Sequence, residues 1–405
     1  ADAVLFGPYQ RLLADRELRR IILTSLIARL PIGMNSLAIT LGLQTLTGSF
    51  ATAGVAASAY LLAVGVQAPI IGRAIDTRGP ASVMLPLALA HALALVTLVV
   101  LARTTHAAAM LAFVAAVAGF CFPPVSMTVR AMYRKSALTD AQKQAAFAIE
   151  AILMEICFIV GPLLVSLAAA CAQPAYAILF SAALSAGGVW LFSRSGALAR
   201  WGVVETGGSR HWAGPLTIAG VRRALLLSAS FGLAIGLLEI AVTGYSRALD
   251  TPEIIGLLFA AMSITSALSG FAYGALHFSS PLSRHCFFAM LWLAAGALIL
   301  AQADRLPVMV AGCLLAGAGF GPGMTAMNLQ LGKLTPSQYS TEAFTWSMTL
   351  FMSGLGSGFL AGGLLIERLT WQSAMLASAG IFVVAALVCL ALPKTRSQHP
   401  EAASA

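Results

Sequence analysis

Charged residues are scarce in this chain: they make up 10% of its 405 residues, whereas hydrophobic residues make up 59%. A soluble domain is about a quarter charged, so this composition excludes an ordinary soluble fold. The mean hydropathy of +0.88 points the same way. The sequence therefore predicts an integral membrane protein.

Signatures of nucleotide and metal binding are missing as well. The sequence contains no GxxxxGK[ST] phosphate-binding motif, and its loops are too short to hold an ATPase domain. The six cysteines stand singly in or beside apolar segments without a CxxC pair, which favours packing roles over a metal site or disulfides. We therefore expect neither an enzyme nor an ATP-driven pump, and we expect no metal or other cofactor.

Apolar runs fill most of the chain, and each is close to the ~20 residues that cross a bilayer as a helix. Runs of this length must be helical, because only a helix satisfies its own backbone polar groups inside lipid. We number twelve such runs as spans 1–12, which are predicted at 21–44, 52–71, 82–102, 107–129, 145–170, 175–192, 224–245, 254–276, 286–301, 308–331, 343–365 and 372–392.

Lysine and arginine fall mainly on one side of the predicted membrane. With the amino terminus in the cytoplasm, nineteen of the 24 basic residues lie in cytoplasmic segments, four lie in outer segments, and Arg29 lies inside span 1. Basic flanking residues favour the cytoplasmic side. The sequence thus predicts a multi-pass protein of the inner (cytoplasmic) membrane with both termini in the cytoplasm. Anchoring beside anionic lipid explains the net charge of +9, so no nucleic-acid partner is expected.

The second half of the sequence repeats the first. Gly72, which directly follows span 2, recurs as Gly274 at an offset of 202, and Gly161 in span 5 recurs as Gly358 at an offset of 197. A nearly constant offset indicates two copies of one six-helix unit. The predicted domains are an amino-terminal bundle at 1–192, a cytoplasmic linker at 193–220, and a carboxy-terminal bundle with a short tail at 221–405.

The loop between spans 2 and 3 reads Gly-Arg-Ala-Ile-Asp-Thr-Arg-Gly, from Gly72 to Gly79. Its glycines and Asp76 resemble the loop motif of the major facilitator superfamily, and the two sets of six spans resemble that family over nearly the whole chain. The resemblance implies an all-α integral membrane fold of twelve transmembrane helices in two pseudo-symmetric six-helix bundles. It also implies a conformational latch formed by Gly72, Asp76, Arg78 and Gly79, for which a simple polar turn is the alternative.

Gly161-Pro162 resembles the Gly-Pro element found in the fifth helix of many exporters of that superfamily. Proline removes one backbone hydrogen bond and kinks a helix, while glycine lets a neighbouring helix approach closely. The resemblance implies export, and a kink that serves packing alone is the alternative.

Four charged side chains lie inside predicted spans: Arg29, Glu150, Glu155 and Glu239. Such residues usually face a bundle interior, find a partner, or carry an ion or proton. If spans 1 and 5 are neighbours, as in the family fold, Arg29 can reach Glu150 or Glu155. A pair that breaks can serve proton coupling, so we predict Arg29, Glu150 and Glu155 as the coupling residues. A permanent ion pair that fixes helix packing is the alternative.

Polar and flexible side chains at mid-span positions suit a central cavity for an amphiphilic solute. The predicted cavity residues are Asn35, Tyr60, Gln67, Met127, Glu239, Met324 and Asn328. The same residues would also serve packing between helices. His91 in span 3 is predicted to be a packed or hydrogen-bonded histidine and not a proton relay.

These features predict a monomeric secondary active transporter that alternates access to a site between its two bundles. The first hypothesis is export of a small amphiphilic or cationic organic molecule, driven by a proton gradient. One alternative is proton-coupled uptake of an organic anion, with Arg29 as the clamp. Another is a transport-fold sensor or a lipid-handling protein.

Overall fold

The structure is a computed structural model of the chain, and it describes residues 14–105, 107–135, 140–171, 173–195, 214–275, 280–336 and 339–393. Within these ranges the regular secondary structure is helical, with no strand. Twelve helical segments there are long and apolar enough to cross a membrane. The predicted number of spans is therefore confirmed.

The first six spans are formed by seven helices. In chain order these are Arg16–Thr47, Phe50–Arg78, Pro80–Thr104, the pair Ala108–Phe120 and Val125–Lys135, Asp140–Cys171, and Ala175–Ser193. Span 4 is the pair, and it is interrupted where Pro123 and Pro124 bring two residues without an N–H group. The turn between spans 1 and 2 is short because Gly48 ends one helix at φ 75° and Ser49 caps the next.

Spans 7–12 follow after residue 213. Their helices are Ala219–Ala248, Ile255–Ala275 (entered through the 3₁₀ turn Pro252–Ile254), Leu282–Ala301, Leu306–Leu334, Ser340–Arg368 and Trp371–Leu390.

Contacts divide the chain into two compact units. Unit 1 contains Ala1–Gly208 and Ser246–Ala260, and unit 2 contains Ser209–Tyr245 and Ala261–Ala405. The sequence assigns residues 246–260 to the carboxy-terminal bundle, but in the structure they group with unit 1. The ends of spans 7 and 8 that meet at this segment thus belong with the first six spans.

Span 1 is central to the packing of unit 1, and small residues bring its neighbours close. A Cβ atom on Gly188 of span 6 would lie 2.6 Å from the Cα atom of Ala28. Between spans 2 and 4, a Cβ on Gly119 would overlap the main-chain oxygen of Tyr60. Membrane helices associate through such close packing, because lipid removes the hydrophobic driving force between them.

Small residues also bring helices close together in unit 2. A Cβ atom on Gly358 of span 11 would lie 2.8 Å from the Cα atom of Gly236 in span 7. Spans 9 and 10 meet at Gly296 and Ala316, where a Cβ on the glycine would lie 3.0 Å from the alanine Cα. An aromatic cluster fills the core nearby, with the Phe231 ring 6.1 Å from that of Phe382.

Candidate functional site

Spans 1 and 5 touch backbone to backbone in unit 1. A Cβ atom on Gly33 would overlap the main-chain oxygen of Cys157, and one on Gly161 would lie 2.6 Å from the carbonyl carbon of Gly33. Only glycine permits this approach without displacing a helix. Gly161 therefore has a packing role, and span 5 runs as one helix through Pro162.

This crossing sets the depth at which a buried ion pair forms. Arg29 lies four residues before Gly33, about one helical turn. Its Nη2 atom donates to Oε1 of Glu150 at 2.8 Å, and the two residues are 2% and 1% exposed. Of the two glutamates that the sequence left open, Arg29 thus pairs with Glu150.

The pair leaves part of its hydrogen-bonding capacity unused. Nε and Nη1 of Arg29 and Oε2 of Glu150 have no hydrogen-bond partner among the described residues. The chain neighbours Ala28 and Ile149 pack in an apolar cluster. In such surroundings a single contact offsets only part of the desolvation cost of two charges. The pair can therefore take up a proton or form further hydrogen bonds with a water molecule or a ligand.

Glu155 stands apart from this pair on the same helix. It follows Glu150 by five residues, which at about 100° per residue turns its side chain by about 140°. The side chain is half-buried, and it makes no hydrogen bond or ion pair within the described part of the chain. A carboxylate in this position can exchange a proton or meet a cation.

Unit 2 places another carboxylate, Glu239, inside span 7. It is half-buried and has no hydrogen-bond partner for its carboxylate among the residues described. The Oγ1 hydroxyl of Thr243 donates a hydrogen bond to the main-chain oxygen of Glu239 at 3.0 Å. Two further predicted cavity residues lie on span 10 of the same unit, where Met324 is half-buried and Asn328 is exposed. Glu239 thus offers unit 2 a cation- or proton-binding group.

A second buried polar cluster joins five spans of unit 1. Nδ2 of Asn35 donates to the Tyr60 hydroxyl at 2.7 Å and lies 3.4 Å from Nε2 of His91. Ser181 donates to Oδ1 of Asn35 at 2.5 Å, and Nδ1 of His91 lies 2.8 Å from the main-chain oxygen of Ala118. A carbonyl oxygen only accepts, so Nδ1 carries the proton and Nε2 accepts from Asn35. The cluster is complete with a neutral imidazole.

Three predicted cavity residues lie inside unit 1 in this structure. Asn35, Tyr60 and Gln67 are 1%, 3% and 2% exposed. Nε2 of Gln67 donates to the main-chain oxygen of Phe122 at 3.2 Å. Asn35 and Tyr60 thus bond to protein atoms, as does Nε2 of Gln67, whereas Oε1 of Gln67 is buried without a partner among the described residues. Met127 on span 4 is 48% exposed.

Ser181 is the member of the polar cluster that sequence reasoning missed. A lone serine in an apolar span carries little information by itself. It does recur as Ser378 at the offset of 197 that also relates Gly161 to Gly358, and this recurrence was a usable signal.

The loop between spans 2 and 3 is described in part. Gly79 follows span 2 with φ 81°, and its N–H donates to the main-chain oxygen of Ile75 at 2.9 Å. A left-handed φ at a helix end favours glycine. Gly72 faces open space, and Arg78 is exposed. The side chain of Asp76 lies outside the described residues, so its latch role stays a prediction.

No cluster of three or more His, Cys, Asp or Glu residues that could hold a metal occurs in the ranges that the structure describes.

Sequence and fold comparisons agree with this description. Residues 224–405 match the family model of the Major Facilitator Superfamily. No curated protein sequence matches the chain.

Several solved transporters share the fold. The nucleoside transporter NupG has a TM-score of 0.70 and 17% identity, over 93% of this chain and 99% of that one. A bacterial homologue of the iron transporter ferroportin, in its inward-facing state, has a TM-score of 0.74 and 15% identity over 93% and 98%. The human organic anion transporter MFSD10 has a TM-score of 0.61 and 18% identity over 93% and 100%. At these identities the likeness establishes the fold alone.

Proposed function

We propose that the chain is a secondary transporter of the Major Facilitator Superfamily and that it couples the proton gradient to export of a small amphiphilic or cationic organic molecule. The family-model match of residues 224–405 and the fold shared with solved transporters support this proposal. The observation that carries the proposal is Glu155, a half-buried membrane carboxylate without a partner in the described structure. The same helix carries Glu150, whose buried ion pair with Arg29 leaves three polar atoms without a partner among the described residues.

Competition for a carboxylate gives a simple mechanism of exchange. When Glu155 is ionised, it attracts a cationic substrate, and when it is protonated, it releases that substrate. Each cycle then moves a proton one way and the cation the other way. Glu239 in unit 2 provides a second carboxylate that favours cations over anions.

The Arg29–Glu150 pair serves as the element that responds to the proton. Protonation of Glu150 would remove the attraction that holds Arg29. Spans 1 and 5 would then lose the charged contact that lies about one helical turn from the Gly33 crossing. The pair is 1–2% exposed, so it responds through its spare donors and acceptor and not by direct contact with bulk solvent.

Uptake of an organic anion is the second candidate. The unused Nε and Nη1 atoms of Arg29 favour it, because each is a charged donor that can still donate to an anion. An anion would have to displace or join Glu150 at a site that is nearly closed to solvent. That requirement places this candidate behind cation export.

Purified protein in liposomes tests the first proposal, with ethidium as the amphiphilic cation. An imposed pH gradient should drive ethidium movement through the unmodified protein. Glu155→Gln mimics the protonated carboxylate, so it should bind ethidium more weakly and lose the response to the pH gradient. Glu367→Gln, which changes an exposed glutamate at the end of span 11, is the matched control and should behave as the unmodified protein.

Unaltered proton coupling in Glu155→Gln would contradict the role of Glu155. Benzoate replaces ethidium in the parallel assay for the second candidate. Benzoate uptake that is lost in Arg29→Gln, together with no movement of ethidium, would favour anion uptake over cation export.

A further inference from the structure

Three exposed arginines of unit 1 lie at the same end of spans 1 and 6, and we call Arg16, Arg20 and Arg194 the arginine cluster. Arg16 and Arg20 are one turn apart near the start of span 1, and Arg194 directly follows span 6. The close contact between Ala28 and Gly188 fixes the depth of one helix against the other. Arg20 lies eight residues and Arg194 six residues from this contact in the same direction. At about 1.5 Å per residue, the two arginines reach nearly the same level.

Unit 2 shows that these two positions are neighbours. The offset of 203 relates Arg20 to Arg223, and the offset of 197 relates Arg194 to Ala391. In unit 2, Nη1 of Arg223 donates to the main-chain oxygen of Ala391 at 2.9 Å. The repeat therefore places Arg20 beside the end of span 6, where unit 1 carries a second arginine.

The two arginines of span 1 have no counter-charge from the protein. Neither guanidinium forms a hydrogen bond or an ion pair among the residues that the structure describes, so Glu17 of the first turn does not neutralise them there. Asp15 is used as the helix cap, where Oδ1 accepts from the N–H of Glu17 at 2.8 Å. Like charges one turn apart on a helix repel each other. An anion from outside the chain would relieve this repulsion.

Trp190 holds the third arginine in place. Cζ of Arg194 lies 4.7 Å from the centroid of the Trp190 ring. The ring is 46% exposed, on the face of span 6 away from the buried Phe192. Tryptophan is enriched where a membrane span meets the headgroup region. Stacking on a ring uses the face of the guanidinium and leaves its N–H donors available in the plane.

Packing of the six-helix unit does not require these additions. At the positions that the same offsets relate to Arg16, Trp190 and Arg194, unit 2 carries Ala219, Leu387 and Ala391. Unit 2 thus keeps one arginine at this end and bonds it to a protein carbonyl. Unit 1 has three arginines and an aromatic platform there, so these residues serve something other than the shared scaffold.

We propose that the arginine cluster binds the headgroup phosphate of an anionic phospholipid. Phosphate oxygens accept charge-assisted hydrogen bonds from several guanidinium groups at once. Leu23 lies on the same face of span 1 as Arg16 and Arg20 and is 57% exposed, so it offers an apolar surface to the acyl chains. The lipid would bridge spans 1 and 6. This site is independent of the transported substrate and of the direction of transport.

Native mass spectrometry of the purified protein, titrated with dioleoylphosphatidylglycerol, tests the site. The unmodified protein should bind the first such lipid more tightly than it binds dioleoylphosphatidylcholine. Arg20→Gln/Arg194→Gln should weaken the binding of phosphatidylglycerol by roughly tenfold or more, because each basic residue near an anionic headgroup contributes about fivefold. Trp190→Leu, which introduces the residue of unit 2, should weaken it less, because all three charges remain.

A charge-matched control separates a site from diffuse attraction. Arg103→Gln/Arg223→Gln removes the same charge at the exposed end of span 3 and at the position of unit 2 that the repeat relates to Arg20. The affinity for phosphatidylglycerol should be unchanged in this variant. Equal weakening in the two double variants would overturn the site, as would an Arg20→Gln/Arg194→Gln variant that binds as tightly as the unmodified protein.

Inorganic phosphate distinguishes a lipid from a free anion. Added in excess over phosphatidylglycerol, it should leave the lipid bound, and displacement would overturn the assignment to a lipid. Thermal unfolding in detergent checks that the variants are folded, and phosphatidylglycerol should raise the midpoint of the unmodified protein only. Arg194→Ala changes a single exposed residue to that of unit 2 and should weaken binding by about fivefold. Undiminished affinity in this variant would contradict the proposal independently.

Discussion

Spans 1 and 5 of unit 1 and spans 7 and 11 of unit 2 cross in the same way, through glycines that the repeat relates. Gly33 and Gly161 form the first crossing, and Gly236 and Gly358, at offsets of 203 and 197, form the second. A close crossing of two helices thus belongs to the scaffold. It needs small residues and no charge.

The residues beside the two crossings differ completely. Arg29 and Glu150 make a buried ion pair in unit 1, and the same offsets put Gly232 and Ser347 in unit 2. There Ser347 bonds Ser228 at 2.9 Å. Since unit 2 packs without a buried ion pair at this place, the charges of unit 1 are retained at a cost that folding does not require. The difference favours a functional role for the pair.

The polar clusters show the same contrast. Ser181 donates to the Asn35 side chain, whereas its counterpart Ser378 donates to the main-chain oxygen of Ala234 at 2.7 Å. Leu238 stands in unit 2 at the offset of 203 from Asn35. The serine is part of the common scaffold, and the amide is an addition to unit 1.

Transferring the unit 2 residues into unit 1 should have the largest effect. Arg29→Gly alone should cost roughly 3–5 kcal/mol of unfolding free energy, because it leaves Glu150 as a buried unpaired charge. The double variant Arg29→Gly/Glu150→Ser should recover most of that loss and should lack proton coupling. Chemical unfolding in detergent and pH-driven ethidium transport measure the two effects. A double variant with normal coupling would remove the functional distinction between the units.

Adding a methyl group at each helix crossing distinguishes the effect of packing on stability from its effect on proton coupling. Gly33→Ala and Gly236→Ala should each lower the unfolding free energy by about 1–3 kcal/mol, since each methyl group meets a main-chain oxygen. Proton coupling should fall in Gly33→Ala, because the ion pair depends on that crossing. It should persist in Gly236→Ala, and equal loss in both variants would assign the effect to general strain.

Removing the paired serines should give a smaller and unequal response. Ser181→Ala leaves Oδ1 of the buried Asn35 unpaired and should cost about 1–3 kcal/mol. Ser378→Ala removes a bond to a carbonyl within a helix, and about 0.5–1.5 kcal/mol is expected. Thermal unfolding of the two variants makes the comparison. Equal shifts would mean that the Asn35 cluster adds nothing to the scaffold.

Ser347→Ala should have the smallest effect. It removes one neutral hydrogen bond with Ser228, and about 0.5–1.5 kcal/mol is expected, with transport unchanged. Thermal unfolding and ethidium flux provide the measurements. A loss of coupling in this variant would show that both crossings take part in the cycle.

Hydropathy and self-similarity predicted the number of spans and the repeat, because both depend on residue type along the chain. Sequence reasoning placed Arg29 within reach of Glu150 or Glu155, but the choice of Glu150 was beyond it. It depends on how far span 1 is shifted along span 5, and the contact between Gly33 and Gly161 sets that shift. Helical spacing also could not tell whether Asn35 faces a cavity or another span, because each span has several neighbours inside a bundle.

The contacts of residues 246–260 were missed for a related reason. Hydropathy places residues 246–260 at the junction of spans 7 and 8, and it contains no information about the helices that this junction touches. Arg247 was counted only among the basic residues outside the spans. Its attachment to Gln44 and Thr45 depends on three-dimensional proximity between residues about 200 positions apart in the chain.

The Arg29–Glu150 pair also has an electrical consequence. While both groups are ionised, their opposite charges cancel, so shifting the pair across the membrane field does almost no electrical work. Glu155 and Glu239 have no compensating partner in the described structure, and a unit charge moved through the whole potential changes the free energy by ~2.3 kcal/mol per 100 mV. Membrane voltage should therefore act on the transport cycle through these two carboxylates and leave the buried pair undisturbed.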